Sequence, residues 1–386
     1  MGSDPYLVLR SRGNTNEIEC RRGVVPGFEV GVEQISGDPL EVMRSLLPPV
    51  PELSEPGRDV GCVGPFLTGA VGYLGYELAE SCEPVKFSSR DDFGLPDLVL
   101  LFVDRMLVID HVAGRSYAVG LGIADGSNLG EARVRAARAA ESIEHLALAH
   151  ARDIMGPAAE TEIAWLERRH LLGSTLPEGT NTCFDAEGYG AAVEEIRDEI
   201  AAGNVYQANL TQRIDLPCRE PVNPVRDADV GWRLYRALRQ LSPAPFAAYL
   251  ELPEVTIASS SPERFLSLDR SGRVESRPIK GTRRRGVSEE EDMLLAKELA
   301  RSQKDRAENL MIVDLLRNDL GRIAEFGSVE VPEMFVLERY GTVWQLTSEV
   351  EARLRPGRPE EHTSELQSRR KLVCRLPLEK KENVDR

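Results

Sequence analysis

The clearest indication of the fold class is the segment Phe246-Ala-Ala-Tyr-Leu-Glu-Leu-Pro-Glu-Val-Thr-Ile-Ala-Ser-Ser-Ser-Pro-Glu-Arg-Phe-Leu-Ser-Leu268. It predicts three successive strands, at residues 246–252, 256–260 and 264–268, with short turns between them. Strands come in runs along this chain, without a regular alternation of strand and helix. That pattern predicts an α+β fold, with large antiparallel sheets packed as a sandwich and helices on the outside.

The clearest predicted helix precedes these three strands. Apolar residues at 189, 193, 196 and 200 form one face, which Asp185 is placed to cap and Gly203 to end. The other predicted elements of the second half are a strand at 205–214 and helices at 230–241, 289–302 and 305–316. Nearer the N-terminus we predict a buried strand pair or one long bent strand at 98–110, a strand at 117–123 and a helix at 128–151.

Residues 152–182 are the best candidate for a linker, because Gly156-Pro157 precedes their short helical piece at 165–171 and the loop Pro177-Glu-Gly-Thr180 follows it. We therefore predict an N-terminal region at 1–180, a second region at 181–357 and a non-native tail at 358–386.

Composition narrows the possible functions. Apolar residues make up 41% of the 386 residues and charged residues 29%, which is typical of a globular protein. A net charge of −15 argues against a general nucleic-acid binder. No apolar run is long enough to cross a bilayer, and residues 1–12 lack a secretory signal. The six cysteines form no C-x-x-C pair. We therefore expect a cytoplasmic location, with the cysteines as reduced thiols. The five histidines are isolated and show no metal-binding spacing.

Four segments of the second half contain polar and charged residues that a structural scaffold does not need. They are Gly203–Arg213, Ser261–Phe265 with an acid after proline in a tight turn, Arg277–Thr282 with a lysine before glycine, and Lys304–Asp319.

Lys280 admits two interpretations. A solvated surface lysine is the simpler one. However, Ile279 before it and Gly281 after it indicate a partly buried place where the backbone comes close to something, and there a lysine becomes a usable nucleophile or base. The neighbouring arginines would favour the neutral amine and attract an anionic substrate; they are Arg277, Arg283, Arg284 and Arg285.

Glu308 also admits two interpretations. On a helical wheel it shares a face with Ile312 and Leu315, so we expect it to be partly buried. It would either form a salt bridge with Arg306 or Arg317, or bind Mg²⁺, which prefers carboxylate and water oxygens. Further along, Asp314 and Asp319 are expected to hold Arg317 and Arg322 and so to fix a turn at 318–321.

In this order and spacing, the four segments resemble the chorismate-utilising enzymes, a family that includes anthranilate synthase component I, aminodeoxychorismate synthase component I and the isochorismate and salicylate synthases. The resemblance runs from about residue 66 to about residue 357 and is dense after residue 184. Within the family, Pro-Ile-Lys-Gly-Thr and Tyr-Gln-Ala-Asn-Leu point to the aminodeoxychorismate branch, because anthranilate synthases usually carry alanine where Lys280 stands.

The resemblance implies a chemistry. The lysine matching Lys280 attacks C2 of chorismate, the glutamate matching Glu263 protonates the departing C4 hydroxyl as general acid, and ammonia from a glutamine amidotransferase subunit then replaces the lysine at C4. It also implies Mg²⁺ held partly by Glu308, and substrate contacts from Gly281 and Thr282. The alternatives are anthranilate synthase component I and a non-catalytic chain that binds chorismate or the amidotransferase.

Gln345 departs from the family pattern, which often has a histidine before the Leu-x-Ser step of its strand. Glutamine donates a hydrogen bond to a substrate oxygen but does not transfer a proton. We therefore expect Gln345 to orient the substrate.

The tail does not fit the family, which would continue after Gly357 with a segment that supplies a second metal-ligating glutamate and an arginine for a substrate carboxylate. Residues 360–368 and 372–380 instead match, apart from Pro377, the translation of a common sequencing adapter. We therefore expect a truncated chain that exposes sheet edges and apolar faces, and that is poorly soluble and nearly inactive.

Overall fold

The structure is a computed structural model, and it describes residues 2, 4–24, 28–47, 69–87, 91–123, 128–154, 178–216, 230–269 and 271–355. The described residues fall into two compact units, one within 2–154 and one within 178–355. The predicted linker lies mostly outside the described residues and the tail at 358–386 entirely so, and the boundaries at 180 and 357 stay predictions.

The first unit is built on a five-stranded antiparallel sheet with strand order β3-β2-β1-β5-β4. The buried side chains of Tyr6, Leu9, Leu98 and Phe102 form the centre of its core. The bounds of the elements are β1 Leu7–Arg12, β2 Thr15–Cys20, β3 Gly31–Ser36, α1 Pro39–Leu46, β4 Gly69–Leu74, α2 Ala79–Cys82, β5 Leu98–Val103, β6 Arg105–Asp110, β7 Arg115–Gly120 and α3 Leu129–Ile154, with a 3₁₀ helix at Tyr76–Leu78.

The apolar run at 98–110 is a pair of strands rather than one bent strand. It breaks at Asp104, whose buried carboxylate accepts hydrogen bonds from the Arg22 guanidinium at 2.8 and 3.1 Å. Strand β5 therefore lies in the five-stranded sheet, whereas β6 forms a hairpin with β7.

The second unit holds every predicted site residue. Its elements are β8 Asn181–Thr182, α4 Ala186–Ala201, β9 Ile214–Asp215, α5 Val230–Leu241, β10 Phe246–Glu251, β11 Thr256–Ser261, β12 Arg264–Leu268, β13 Arg273–Arg277, β14 Ile279–Arg284, α6 Glu289–Arg301, α7 Gln303–Ile323, β15 Glu330–Arg339 and β16 Val343–Arg353. All the strand pairs in the described residues are antiparallel, so the α+β class with antiparallel sheets is confirmed, and the sandwich packing stays a prediction.

Strand β16 is the centre of the main sheet of this unit. Strands β13 and β14 pair with it in sequence along one edge, and β15 pairs along the other. Pro278 separates β13 from β14, because proline has no N–H to donate to the ladder. Its carbonyl still accepts a hydrogen bond from the Ser348 amide at 3.2 Å, which keeps the two strands in line.

Helices α6 and α7 meet at Ser302, which ends the first and caps the second by accepting from the Asp305 amide at 3.3 Å. The buried face of α7 is formed by Asp305, Asn309, Val313, Leu320 and Ile323. The C-terminal half of α7 packs against buried apolar residues of β13 and β16.

Two predicted elements are wrong. The expected turn at 318–321 is helical, because α7 continues to Ile323 and Leu320 is buried in the core. The expected strand at 205–214 is reduced to Ile214–Asp215, because only those two residues find a pairing partner, at Asn181–Thr182.

Candidate active site

Lys280 lies in a β-bulge at the start of β14. Ile279 pairs with Thr347 and Thr282 with Gln345, so Lys280 and Gly281 together oppose the single residue between them on β16. A bulge of this kind re-aims a side chain relative to the pleat. Lys280 is half-buried, and among the described residues nothing accepts a hydrogen bond from its ammonium group.

The bulge depends on Gly281, which has φ 92, a left-handed conformation that favours glycine. A Cβ atom at this position would lie 2.9 Å from Asp305 Cβ on α7 and 2.9 Å from Leu299 Cδ1 on α6. The sequence indicated a close approach of the backbone here, and the structure shows that the partners are these two helices.

Glu263 is brought to the same place. It lies in the turn between β11 and β12, and its Oε1 accepts a hydrogen bond from the Ile279 amide at 3.0 Å. The carboxylate is exposed, so it remains open to a substrate. The two residues predicted to be catalytic are therefore joined through the residue that precedes Lys280.

The neighbouring arginines do not form the uncompensated cationic field that the sequence suggested, because each is paired with an acid. The shortest distances are 2.7 Å for Arg277–Glu333, 2.8 Å for Arg283–Glu298 and 2.5 Å for Arg285–Asp292; Arg283 also contacts Asp305 at 3.0 Å, and Arg284 contacts Glu291. All five of these acids belong to α6, α7 or β15, so the pairing arises from tertiary structure.

The pair formed by Arg285 and Asp292 lies just after the end of β14. Asp292 accepts from both Arg285 and the Trp344 indole, the latter at 2.9 Å. The hydrogen bonds from Arg285 hold the pKa of the Asp292 carboxyl well below its usual range, against the opposing effect of desolvation. The Arg285 guanidinium also lies over the Trp344 ring, 5.1 Å from its centroid.

Gln345 lies between Thr282 on one neighbouring strand and Glu338 on the other. Its side chain is 7% exposed, and its amide oxygen is buried without a hydrogen-bond partner among the described residues. Thr282 is exposed. Directly paired residues share a face of a sheet, so the three polar side chains form one row beside the bulge.

Glu308 is partly buried, as its helical position predicts, with 40% of its side chain exposed. Neither predicted arginine partner binds it: Arg306 lies over the Phe335 ring, and Arg317 donates to Asp314. Its only contact with a cation in the described residues is Lys304, at 3.8 Å. The expected pairing of Asp314 with Arg317 is present, at 3.0 Å.

The described residues contain no group of three or more His, Cys, Asp or Glu side chains that could hold a metal ion. Glu308 is an oxygen donor of the kind that Mg²⁺ accepts, but one carboxylate alone leaves most of an octahedral shell to water and substrate. The residues present therefore fit one ligand of a magnesium site and do not form a complete one.

A set of buried polar residues around the bulge was not predicted from the sequence. Asn309 and Ser348 are fully buried, and Asp305 nearly so. The signal was available for the helical pair, because Asp305 and Asn309 are polar residues on an otherwise apolar face.

Comparison with known proteins agrees with this picture. The profile of the family described as chorismate binding enzyme matches residues 11–360. An aminodeoxychorismate synthase from Streptomyces griseus is 44% identical over 292 residues, which cover 75% of this chain and 36% of the relative. An anthranilate synthase component 1 from Thermus thermophilus is 36% identical over 338 residues, which cover 85% of this chain and 64% of the relative.

Among solved structures, anthranilate synthase component I from Streptococcus pneumoniae shares the fold, with a TM-score of 0.67 and 24% identity over 95% of this chain and 71% of that one. The chain thus spans little more than a third to about two thirds of the length of these curated relatives. No helix in the described part of the chain has the length and apolar character to cross a membrane. Because the family profile matches most of its length, the chain belongs to the chorismate-binding enzyme family.

Proposed function

We propose that this chain is the chorismate-binding part of an aminodeoxychorismate synthase, which aminates chorismate at C4 to give 4-amino-4-deoxychorismate. The similarity to the Streptomyces griseus enzyme and the lysine of the Pro-Ile-Lys-Gly-Thr segment support this choice within the family.

The observation that supports it best is the hydrogen bond between Glu263 and the Ile279 amide, at 3.0 Å. It holds an exposed carboxyl group at the residue before a half-buried lysine, for whose ammonium group the described residues show no hydrogen-bond acceptor. A covalent substitution requires a nucleophile and an acid in the same site.

In the proposed reaction the Lys280 amine forms a bond to C2 of chorismate. The ring double bonds shift, the C4–O bond breaks, and Glu263 donates a proton so that the hydroxyl leaves as water. Ammonia then bonds to C4, the double bonds shift back, and the bond from C2 to Lys280 breaks. The sum is chorismate plus ammonia giving 4-amino-4-deoxychorismate plus water, with one difficult substitution divided into two.

Three further residues are proposed to contact the substrate. Gly281 is half-buried in the bulge next to Lys280, and Thr282 offers an exposed hydroxyl group. Gln345, in the same row, orients the substrate by hydrogen bonding.

Magnesium is proposed as the cofactor, with Glu308 supplying one oxygen ligand. When bound, the ion would neutralise charge on a substrate carboxylate. Ammonia is proposed to come from a glutamine amidotransferase subunit, in keeping with the component 1 naming of several relatives.

Mass spectrometry of a full-length version of the protein, extended to the length of its relatives, tests the proposal directly. Incubation with chorismate and Mg²⁺ without ammonia is expected to add the mass of chorismate less one water to the peptide that contains Lys280. Lys280→Ala abolishes the adduct, and Glu263→Gln slows its formation by about 100-fold, as expected for loss of a general acid. Lys297→Ala and Glu290→Gln, at exposed positions of α6, are the matched controls.

The second candidate is anthranilate synthase component I, supported by the Thermus thermophilus relative that matches 85% of the chain. Adding an ammonium salt distinguishes the two by product. Formation of anthranilate, with no lysine adduct and no effect of Lys280→Ala, would overturn the first proposal in favour of the second.

A further inference from the structure

We propose that Asn309 is a positioning residue that holds the Lys280 bulge in register with the helix carrying Glu308. The inference rests on the proposed function for the roles of Lys280 and Glu308, and on geometry alone for the connection between them.

Asn309 follows Glu308 on α7 and is 0% exposed. Its Nδ2 donates to the Leu346 carbonyl at 3.3 Å, and its Oδ1 accepts from the Ser348 hydroxyl at 2.5 Å. Leu346 is the single residue of β16 that opposes Lys280 and Gly281 in the bulge. The helix is thus hydrogen-bonded to the strand at the position where the bulge forms.

The hydrogen bonds continue through Ser348, which is also 0% exposed. Its hydroxyl accepts from the Phe335 amide at 3.0 Å, and its own amide donates to the Pro278 carbonyl at 3.2 Å. Pro278 precedes β14, so Ser348 fixes the approach to the bulge while Asn309 fixes the opposite strand.

Phe335 gives an independent sign that this place is constrained. Its φ is 58, an outlier for a bulky side chain, and it lies within the second register shift of β15, between Glu333 and Val336. The Arg306 guanidinium covers its ring at 4.2 Å, so α7 contacts the strained strand as well. Strained backbone persists where the surroundings over-determine it and is concentrated at functional sites.

The chemistry selects asparagine at this position. One end of the side chain must donate to a carbonyl while the other accepts from a hydroxyl, and the group must be neutral because it is buried. Aspartate has the same shape but no donor, and it would place a charge beside the Leu346 carbonyl.

Acylation of lysines by acetic anhydride, followed residue by residue with mass spectrometry on the full chain, tests the proposal without chorismate. Asn309→Asp and Ser348→Ala are each expected to raise the rate at Lys280 about fivefold by loosening the bulge locally. The rate at exposed Lys297 should not change. Asn318→Asp, the same substitution at an exposed position of α7, is the control and should leave both rates unchanged.

Hydrogen exchange of β13 separates positioning from general stability, since this strand lies in the same sheet but outside the network. Retained protection of β13 together with faster acylation of Lys280 supports the proposal. The proposal is overturned if the acylation rate at Lys280 is unchanged in Ser348→Ala, or if β13 loses its protection from hydrogen exchange in both variants. Because the experiment uses no substrate, a missing chorismate adduct would refute the proposed function and leave this result intact.

Discussion

Replacing Gly281 by alanine should destabilise the second unit by an amount that its surroundings determine. Two costs add. A left-handed φ costs an alanine about 1–2 kcal/mol, and forcing a methyl group into packed surroundings costs about 1–3 kcal/mol. The second cost applies because the new Cβ would lie 2.9 Å from both Asp305 Cβ and Leu299 Cδ1. We expect a loss of about 2–5 kcal/mol in the free energy of unfolding, less about 0.5 kcal/mol for the stiffer unfolded chain.

Gly272→Ala is the matched control. Gly272 has φ 81 in the turn between β12 and β13, and a Cβ there would meet nothing within 4 Å. It therefore shares the backbone cost and the effect on the unfolded chain, but not the clash. The difference between the two variants isolates the packing against α6 and α7, expected at about 1–3 kcal/mol.

Urea unfolding followed by tryptophan fluorescence measures both variants, because Trp232 and Trp344 lie in the second unit, on α5 and β16. If Gly281→Ala and Gly272→Ala lose the same free energy within the error of the extrapolation, the close packing of the bulge against the two helices is wrong. The position of Lys280 would then not depend on these helices.

Three other predictions follow from particular contacts. The depressed pKa of Asp292 stabilises the folded state above the unfolded pKa of about 3.9, and this contribution is lost as the pH falls below that value. The unfolding midpoint should therefore fall more steeply below about pH 4 in the wild type than in Asp292→Asn. The substitution also leaves Arg285 without its acid. Parallel profiles of the midpoint against pH in the two proteins would contradict the pairing. Ser302→Ala removes the cap of α7 and should cost about 1 kcal/mol in urea unfolding; no loss would show that the cap contributes nothing. Exposed Cys183 should react with iodoacetamide in the native protein, whereas Cys20, at 4% exposure, should react only on unfolding, as peptide mass spectrometry would show.

Local pattern was enough to predict the strands around Glu263. The predicted strand at 264–268 coincides with β12, and the two before it differ from β10 and β11 by one residue at their ends. Alternating runs broken by proline and polar turns carry that information within a few residues. The strand predicted at 205–214 failed for the opposite reason, since a strand exists only where another strand pairs with it, and the sequence does not show which residues do.

The same limit explains why the candidate site was predicted only in part. The sequence drew attention to Lys280, Glu263 and Glu308, and Gly281 indicated a close backbone approach. What it did not show is which groups surround them. The acids that pair with the arginines near Lys280 lie mostly on α6, α7 and β15, and local spacing contains no information about those partners.

Because the arginines near Lys280 are paired with acids, they do not explain why this lysine would be reactive. With those charges compensated, the features that distinguish Lys280 are its place in a bulge, its partial burial and its lack of an acceptor among the described residues. Each depends on contacts at the bulge: Glu263 binds the amide before it, α7 packs against Gly281, and Asn309 binds the strand opposite. The proposed acid Glu263, the proposed nucleophile Lys280 and the helix that carries the proposed metal ligand Glu308 are thus attached to one stretch of β14 and β16. A change in the bulge should therefore alter the geometry of all three together, whereas a change in the surrounding charges should not.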